Sequence, residues 1–383
     1  MKICFVVIDG LNDLPLKELK GKTPLEVAKT KWLDVLASNG EFGKIRLFDF
    51  APESDEAMMK ILNLNPEKNY PGRGILEAIG SGIKVKEGFL YFRCNVVKLE
   101  KGKIVDFEPE IKERLKRKIE KIINKIDIGV PFIFKFTKGY RCILILKGNL
   151  SDKISNTNPS YKNLGKLSVA VEKYPYIKKC FPLKKSKRAK FTAKIVNIFT
   201  KKTLGELKKF NLAIVLRGGS KLGGWKKRIE KKYKGWVVIS DMPIEIGIGK
   251  IVGMRKVKYE KDYKKLAEKV VKIIKKNNVY LQIKGPDFYS HKGDCIGKIK
   301  SIERIDKEFF SNLIKKLIKK DVLLVVACDH VTSTKHKRHY KGYPTFIKVN
   351  LKNLEIKRKI KFSEKICKKI VQPKFLLVSN KKF

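Results

Sequence analysis

The sequence predicts an α/β protein built on a mostly parallel sheet flanked by helices. Apolar runs at 2–8, 279–283 and 322–327 read as buried strands, and amphipathic helical stretches at 261–276 and 307–320 alternate with the late ones. Such alternation implies βαβ units. Each of the three runs is followed by an aspartate: Asp9, Asp287 and Asp329. Ligands of parallel sheets bind beyond the strand carboxyl ends. Three acids delivered there describe an active site more readily than a core.

The elements follow in chain order. Thr23-Pro24-Leu25-Glu26 carries three helix-start signals: a capping threonine, a proline suited to the first turn, and a glutamate that completes a capping box. That helix is expected to reach about residue 38, with Gly40 just past its end. A second strand is expected at 44–50, and Ser54 opens another helix. Residues 112–126 form a basic amphipathic helix, and 132–136 and 142–146 are strands. The stretch 151–190 is rich in Ser, Asn, Pro and Lys and reads as loops with short strands, a candidate inserted lobe. Short buried strands return at 212–216 and 236–239.

Composition narrows the function classes. A chain of 383 residues with 43% hydrophobic content can bury one large core, or a core and a second lobe. No uninterrupted apolar run reaches the roughly 18 residues a membrane helix needs, and the start lacks a signal-peptide cleavage site. A cytoplasmic location without a membrane partner is expected. None of the seven cysteines forms a Cys-x-x-Cys pair, which excludes zinc-ribbon and thioredoxin motifs. Reduced, mostly buried thiols are the expectation. The formal charge of +51 comes mostly from lysine spread along the whole chain. Without an arginine-rich arm or clustered aromatics, nucleic acid is a possible partner but not the favoured one. An anionic substrate accounts for the charge as well.

All four histidines fall between His291 and His339. His291, His330 and His339 stand with Asp287 and Asp329, and Asp9 adds a further carboxylate. Imidazole nitrogen with carboxylate oxygen suits Zn, Mn, Fe or Co, and the donors suffice for two ions. Asp329 and His330 are adjacent, so they point in different directions and could serve different ions. Ser54 alone reads as a helix N-cap. Beside two ions it becomes an apt nucleophile, since a metal lowers the hydroxyl pKa and a helix N-terminus offers amides to phosphate. Arg73, set between glycines, and the strand-end residues Arg93, Arg141 and Arg217 are candidate phosphate or carboxylate clamps.

Several stretches together resemble the archaeal-type 2,3-bisphosphoglycerate-independent phosphoglycerate mutases, a branch of the alkaline phosphatase superfamily. They are Val7-Ile8-Asp9-Gly10, Gly21-Lys22-Thr23-Pro24-Leu25-Glu26, Pro52-Glu53-Ser54-Asp55, Gly72-Arg73-Gly74 with Glu77-Ala78, Phe92-Arg93-Cys94-Asn95, Leu216-Arg217-Gly218, Lys284-Gly285-Pro286-Asp287 and Asp329-His330. The resemblance spans nearly the whole chain. It implies an alkaline-phosphatase-like core over 1–84 and 212–383, with a smaller α+β substrate-binding lobe inserted at 85–211. It also implies two divalent ions (Mn, Zn, Co or Mg). Ser54, Asp9, Asp329 and His330 resemble the ligands of one, and Asp287, His291 and His339 those of the other. His336 matches no ligand, and Lys337 matches a family lysine assigned to substrate.

The implied reaction interconverts 3-phosphoglycerate and 2-phosphoglycerate in glycolysis and gluconeogenesis, with Ser54 accepting the phosphoryl group. A phosphatase on the same metal core is the second enzyme reading. A basic nucleic-acid-binding protein on an inactive enzyme fold is the alternative of another class. The chain departs from the family pattern at 155–160, where Ser-Asn-Thr-Asn-Pro-Ser replaces a stretch with two aspartates and a histidine, and at Ile246, where a lysine is expected. It departs again at 106–110, where the family's arginine-rich stretch is missing.

Overall fold

The computed structural model describes residues 1–164, 167–172, 174–223 and 229–377. The chain divides into two units. The first comprises Met1–Pro66, Lys231–Asp241 and Gly249–Phe383; the second comprises Glu67–Glu230 and Met242–Ile248.

An eight-stranded sheet organises the first unit. Its order is Arg255–Val257, Trp236–Ile239, Asn278–Ile283, Lys2–Ile8, Val322–Ala327, Thr345–Asn350, Glu41–Ile45, Ile370–Val371. Only Thr345–Asn350 runs against the rest. Lys2–Ile8 is central, in parallel register with Asn278–Ile283 (Ile8↔Ile283) and with Val322–Ala327 (Val7↔Ala327). These strands are near-continuous apolar runs because both faces of the sheet are covered. Val6, Ile8, Leu281, Ile283, Leu324 and Val326 meet the helix residues Leu266, Val270, Phe309 and Phe310 in one core. The first strand and the late strands thus share one mostly parallel sheet, as their patterning predicts.

Three expected elements differ. The strand expected at 44–50 is Glu41–Ile45, which pairs with Thr345–Asn350 and Ile370–Val371. The single helix expected from Thr23 is two, Pro24–Val27 and Lys31–Asn39, parted at Ala28 by an extended ψ of 141°. The capping box of Thr23 and Glu26 does form. The second helix has no side-chain cap of its own at Thr30. Instead Asp306, far along the chain, accepts Trp32 N (3.1 Å) and Leu33 N (2.8 Å). The helix expected at 307–320 begins earlier, as Cys295–Arg304, and passes through a π-helical segment Ile305–Phe310 into Ser311–Leu317. That π-turn is what presents Asp306 to the neighbouring helix.

The arrangement has a measurable consequence. Burial pushes the Asp306 carboxyl up to about 6, partly offset by the Trp32 and Leu33 amides. The folded state then holds this proton more tightly than the unfolded state, whose carboxyl titrates near 4. Its contribution to stability therefore falls as pH rises from about 4 to 6. Asp306→Asn removes that slope. Relative to wild type it should gain on the order of 2 kcal/mol across the window, read from unfolding midpoints at pH 4, 5 and 6. Parallel curves would refute it.

The second unit is built on a five-stranded antiparallel sheet. Lys103–Asp106, Leu90–Glu100, Arg141–Leu146 and Phe132–Lys138 run in that order, and Leu212–Ser220 also pairs with Leu90–Glu100. The helices Glu113–Ile123 and Lys187–Leu207 cover one face, with Ile119, Ile123, Val196 and Phe199 against Phe92, Phe134 and Leu144. The long helix Lys187–Leu207, capped by Ser186, begins inside the stretch expected as loops at 151–190, which also carries the hairpin Tyr161–Leu164 and Leu167–Ala170.

The boundaries expected at 84/85 and 211/212 do not coincide with those of the units. The strand Leu212–Ser220 pairs with Leu90–Glu100 from Lys98↔Leu212 to Tyr91↔Ser220. The helix Arg73–Gly80 packs on the same two strands so closely that a Cβ on Gly74 would lie 2.0 Å from Tyr91 O. Both elements therefore go with the second unit.

Candidate metal and phosphoryl-transfer site

The three carboxyl-end acids converge. Asp9 follows the central strand, its N–H bonded to Ile283 O (2.8 Å), and its own carbonyl accepts from Asp287 N (3.2 Å). Gly10 makes this approach possible. Its φ is +63°, and a Cβ there would stand 2.8 Å from Asp287 Cα. Asp287 and His291 share the helix Gly285–Lys292 at i,i+4, so they occupy one face. Asp329 and His330 follow Val322–Ala327, and His339 sits on the strand Arg338–Tyr340, opposite Thr332 in a short hairpin.

Two groups of donors result: Asp9, Asp329 and His330, and Asp287, His330 and His339. His330 Nε2 is 3.4 Å from both Asp9 Oδ1 and Asp329 Oδ2. Asp287 Oδ1 is 3.7 Å from His339 Nε2 and 3.5 Å from His291 Nε2. Ligands in tetrahedral array around one ion, with bonds of about 2.1 Å, stand about 3.4 Å apart. His330, expected with one set alone, belongs by distance to both, and its ring stacks on that of His339 at 3.7 Å. His291 lies at the margin, within reach of Asp287 but outside both groups.

Two of the imidazoles, His291 and His339, carry a hydrogen on the nitrogen turned from Asp287. His339 Nδ1 donates to Pro52 O (2.8 Å) and His291 Nδ1 to Lys337 O (3.1 Å), and a carbonyl can only accept. Nε2 is left bare on the ligand side, the arrangement metal-ligating histidines show.

The electrostatics also fit cations. Asp9 Oδ1 is buried with no hydrogen-bond partner among the described residues. Burial, and then the charge of Asp9, raise the Asp329 carboxyl well above its ordinary range. Burial likewise pushes Asp287 up, but His291, His339 and Lys284 outweigh it and hold that carboxyl low. His330 is pushed down to about 3 by burial, with His339 adding to the effect, so its ring is neutral. A close carboxylate pair beside the neutral His330 ring is a donor set that divalent ions relieve.

Ser54 is the first residue of the helix Ser54–Ile61. It is not the cap its position suggests: Glu53 caps, in a reciprocal box with Glu56. The Ser54 hydroxyl is therefore not spent on the helix. It lies 3.3 Å from His330 Nε2 and accepts from Lys284 Nζ (3.3 Å), which also pairs with Asp9.

Four residues here escape sequence reasoning. Buried Gln282 donates to Asp9 Oδ2 (2.9 Å) and Asp329 Oδ2 (3.0 Å), while Tyr280 OH fixes its oxygen. Its one signal is a polar residue inside an apolar strand. Lys284 is part of Lys284-Gly285-Pro286-Asp287, yet its reach to Ser54 is not readable there. Asp13 and Lys298 form a fully buried ion pair at 2.9 Å, and Lys298 Nζ also donates to Asn12 O and Thr332 O.

The candidate clamp arginines gather within the second unit. Arg93 donates to Glu77 Oε2 (3.1 Å) and to Asn95 Oδ1 (3.1 Å), and Thr137 donates to the other Glu77 oxygen. Burial lowers Arg93 to about 10; Glu77 opposes this, while Arg141, Arg73 and Arg217 add to it. Burial pushes Glu77 up, but Arg93, Arg141, Thr137 and Arg73 together bring it down. Arg217 stacks on Tyr161 at 3.4 Å. In the stretch that departs from the family pattern, Asn156 accepts from Gly218 N and Thr157 from Leu216 N, bracing the backbone on either side of Arg217. Lys337 lies in the first unit with an exposed side chain, and its carbonyl holds His291. Exposed His336 stacks on Tyr340.

Residues 37–211 match the model of the 2,3-bisphosphoglycerate-independent phosphoglycerate mutases. A protein of that name from Aeropyrum pernix is 32% identical over 96% of this chain and 94% of its own length. The chain belongs to this family. Its members are named as isomerases of the cofactor-independent type. A second relative of this name, from Methanocaldococcus jannaschii, is 31% identical over 96% of this chain and 92% of its own. The fold is shared with the cofactor-independent phosphoglycerate mutase of Thermoplasma acidophilum (TM-score 0.57, 22% identity, 98% and 99% of the two chains). It is also shared with a Pyrococcus horikoshii protein (TM-score 0.69, 21% identity, 91% and 87%). Among the described residues no helix is long and apolar enough to cross a membrane.

Proposed function

We propose that the chain interconverts 3-phosphoglycerate and 2-phosphoglycerate through a phosphoserine at Ser54, as a cytoplasmic enzyme of glycolysis and gluconeogenesis. The observation that carries this reading is the Ser54 hydroxyl, set at a helix start beside His330 and beside Lys284, which pairs with Asp9. Asp9, Asp329, His330 and Ser54 would hold one divalent ion, and Asp287, His291 and His339 a second. When bound, such ions favour the serine alkoxide and neutralise charge on the oxygens of the transferring group.

The chain's own residues supply the remainder. Ser54 Oγ forms the new bond to phosphorus as the ester bond to glycerate breaks, and the serine proton ends on the released glycerate oxygen. The glycerate reorients, its other hydroxyl oxygen bonds phosphorus as the Ser54 Oγ–P bond breaks, and that hydroxyl's proton returns to Ser54. Lys284 places a positive charge beside the attacking oxygen. Arg73, Arg93, Arg141 and Arg217 are assigned to binding the anionic substrate, and their planar forks suit a carboxylate or phosphate. Lys337 is assigned to substrate by the resemblance, and its exposed side chain is compatible with that role.

Incubation of the manganese-loaded protein with 3-phosphoglycerate should give 2-phosphoglycerate. Prior treatment with a chelator should abolish turnover, and added Mn²⁺ should restore it. Release of inorganic phosphate without 2-phosphoglycerate would replace the mutase reading with a phosphatase one.

A further inference from the structure

Thr332 stands between the two donor groups. Its Oγ1 is 2.9 Å from Asp287 Oδ1 and 2.9 Å from His330 Nδ1. A hydroxyl has one proton to give. A ligating carboxylate only accepts, so that proton goes to Asp287. Toward His330 the oxygen then offers a lone pair, and Nδ1 must carry the hydrogen. We infer that Thr332 is a positioning residue: its hydroxyl sets His330 as the Nδ1–H tautomer and leaves Nε2 bare toward Ser54, Asp9 and Asp329.

The surroundings are built to hold that hydroxyl. Thr332 is fully buried. Its N–H donates to Asn12 O (3.1 Å) and its carbonyl accepts from the buried ammonium of Lys298 (3.1 Å). Its strand partner across the hairpin is His339. A β-branched side chain so held has little χ1 freedom. His291 and His339 take their tautomers from backbone carbonyls, which no substitution removes. His330 takes its own from a side chain, and the same side chain aligns Asp287. One hydroxyl thus orients a member of each group.

The inference rests on the metal-dependent reading of the site, and its test separates the two. In metal-free protein with ¹⁵N-labelled histidine, long-range ¹H–¹⁵N correlation reads the His330 tautomer. Wild type and Thr332→Ser should carry the hydrogen on Nδ1, and Thr332→Val, of nearly equal volume, should lose that preference. Mn²⁺ should bind Thr332→Val about 10–100-fold more weakly, with kcat falling more than KM changes, and Thr332→Ser should recover both. An Nε2–H tautomer in wild type would overturn the inference even if the valine variant failed to fold. So would Thr332→Val retaining Nδ1–H and full metal affinity. Should the tautomer follow Thr332 in a wild type that binds no metal, the positioning inference stands and the functional reading falls.

Discussion

Ser54→Ala should lower mutase turnover by about 10⁴-fold or more, because the proposed phosphoserine needs the Ser54 hydroxyl. The substitution is structurally mild. Glu53 caps the helix and Ser54 is its first residue, so alanine leaves the cap and the helix start intact. An unchanged unfolding midpoint would therefore accompany the lost activity. Mass spectrometry of wild-type protein quenched during turnover should find phosphate on the peptide holding Ser54, and none on the variant. Retained turnover in Ser54→Ala would mean that the phosphoryl group passes elsewhere.

The largest effect on stability is expected from Lys298→Met, at about 3–5 kcal/mol, the cost of leaving a buried charge without its partner. Lys298 and Asp13 are both fully buried. Asp13 keeps bonds from Leu14 N and Thr334, but these amides and hydroxyl do not cancel its charge. Two carbonyls, of Asn12 and Thr332, lose the same ammonium. Adding Asp13→Asn should recover part of the loss, so the double variant should cost less than the sum of the singles. Urea unfolding of the three variants reads this coupling, and strict additivity would show that the pair contributes nothing as a pair. Because the pair ties the segment after Asp9 to the segment after His330, Mn²⁺ affinity should weaken along with stability.

The two halves of the site were not equally legible. Asp9, Asp287 and Asp329 announce themselves because each closes an apolar run, and strand periodicity is local information. The scarcity of histidine then isolates His291, His330 and His339. What pairing supplies is silent in sequence. Asp13 and Lys298 are 285 residues apart, and neither stands in a recognisable motif. Asp306 reaches the helix Lys31–Asn39 from 274 residues away, so the break at Ala28 has no local signal beyond a weak start at Thr30. The unit boundaries slipped for the same reason, since only the pairing of Leu212–Ser220 with Leu90–Glu100 moves that strand across. Gln282 is marked only by its polarity, in a strand interior whose pattern is set by apolar residues. There it does the opposite work, holding two carboxylates together from beneath.

The central position of Lys2–Ile8 bears on how the chain is born. Both of its neighbours, Asn278–Ile283 and Val322–Ala327, are made some 270 residues or more after it. At ribosomal speeds the wait between Ile8 and Val322 is roughly 15–60 s. For that interval a bare apolar strand hangs outside the ribosome while Glu67–Glu230, nearly all of the second unit, emerges and can collapse on its own core. The nascent protein thus carries an early lobe and an apolar strand still without its partners. Chaperone occupancy should peak on Lys2–Ile8 and fall only when Val322–Ala327 has emerged.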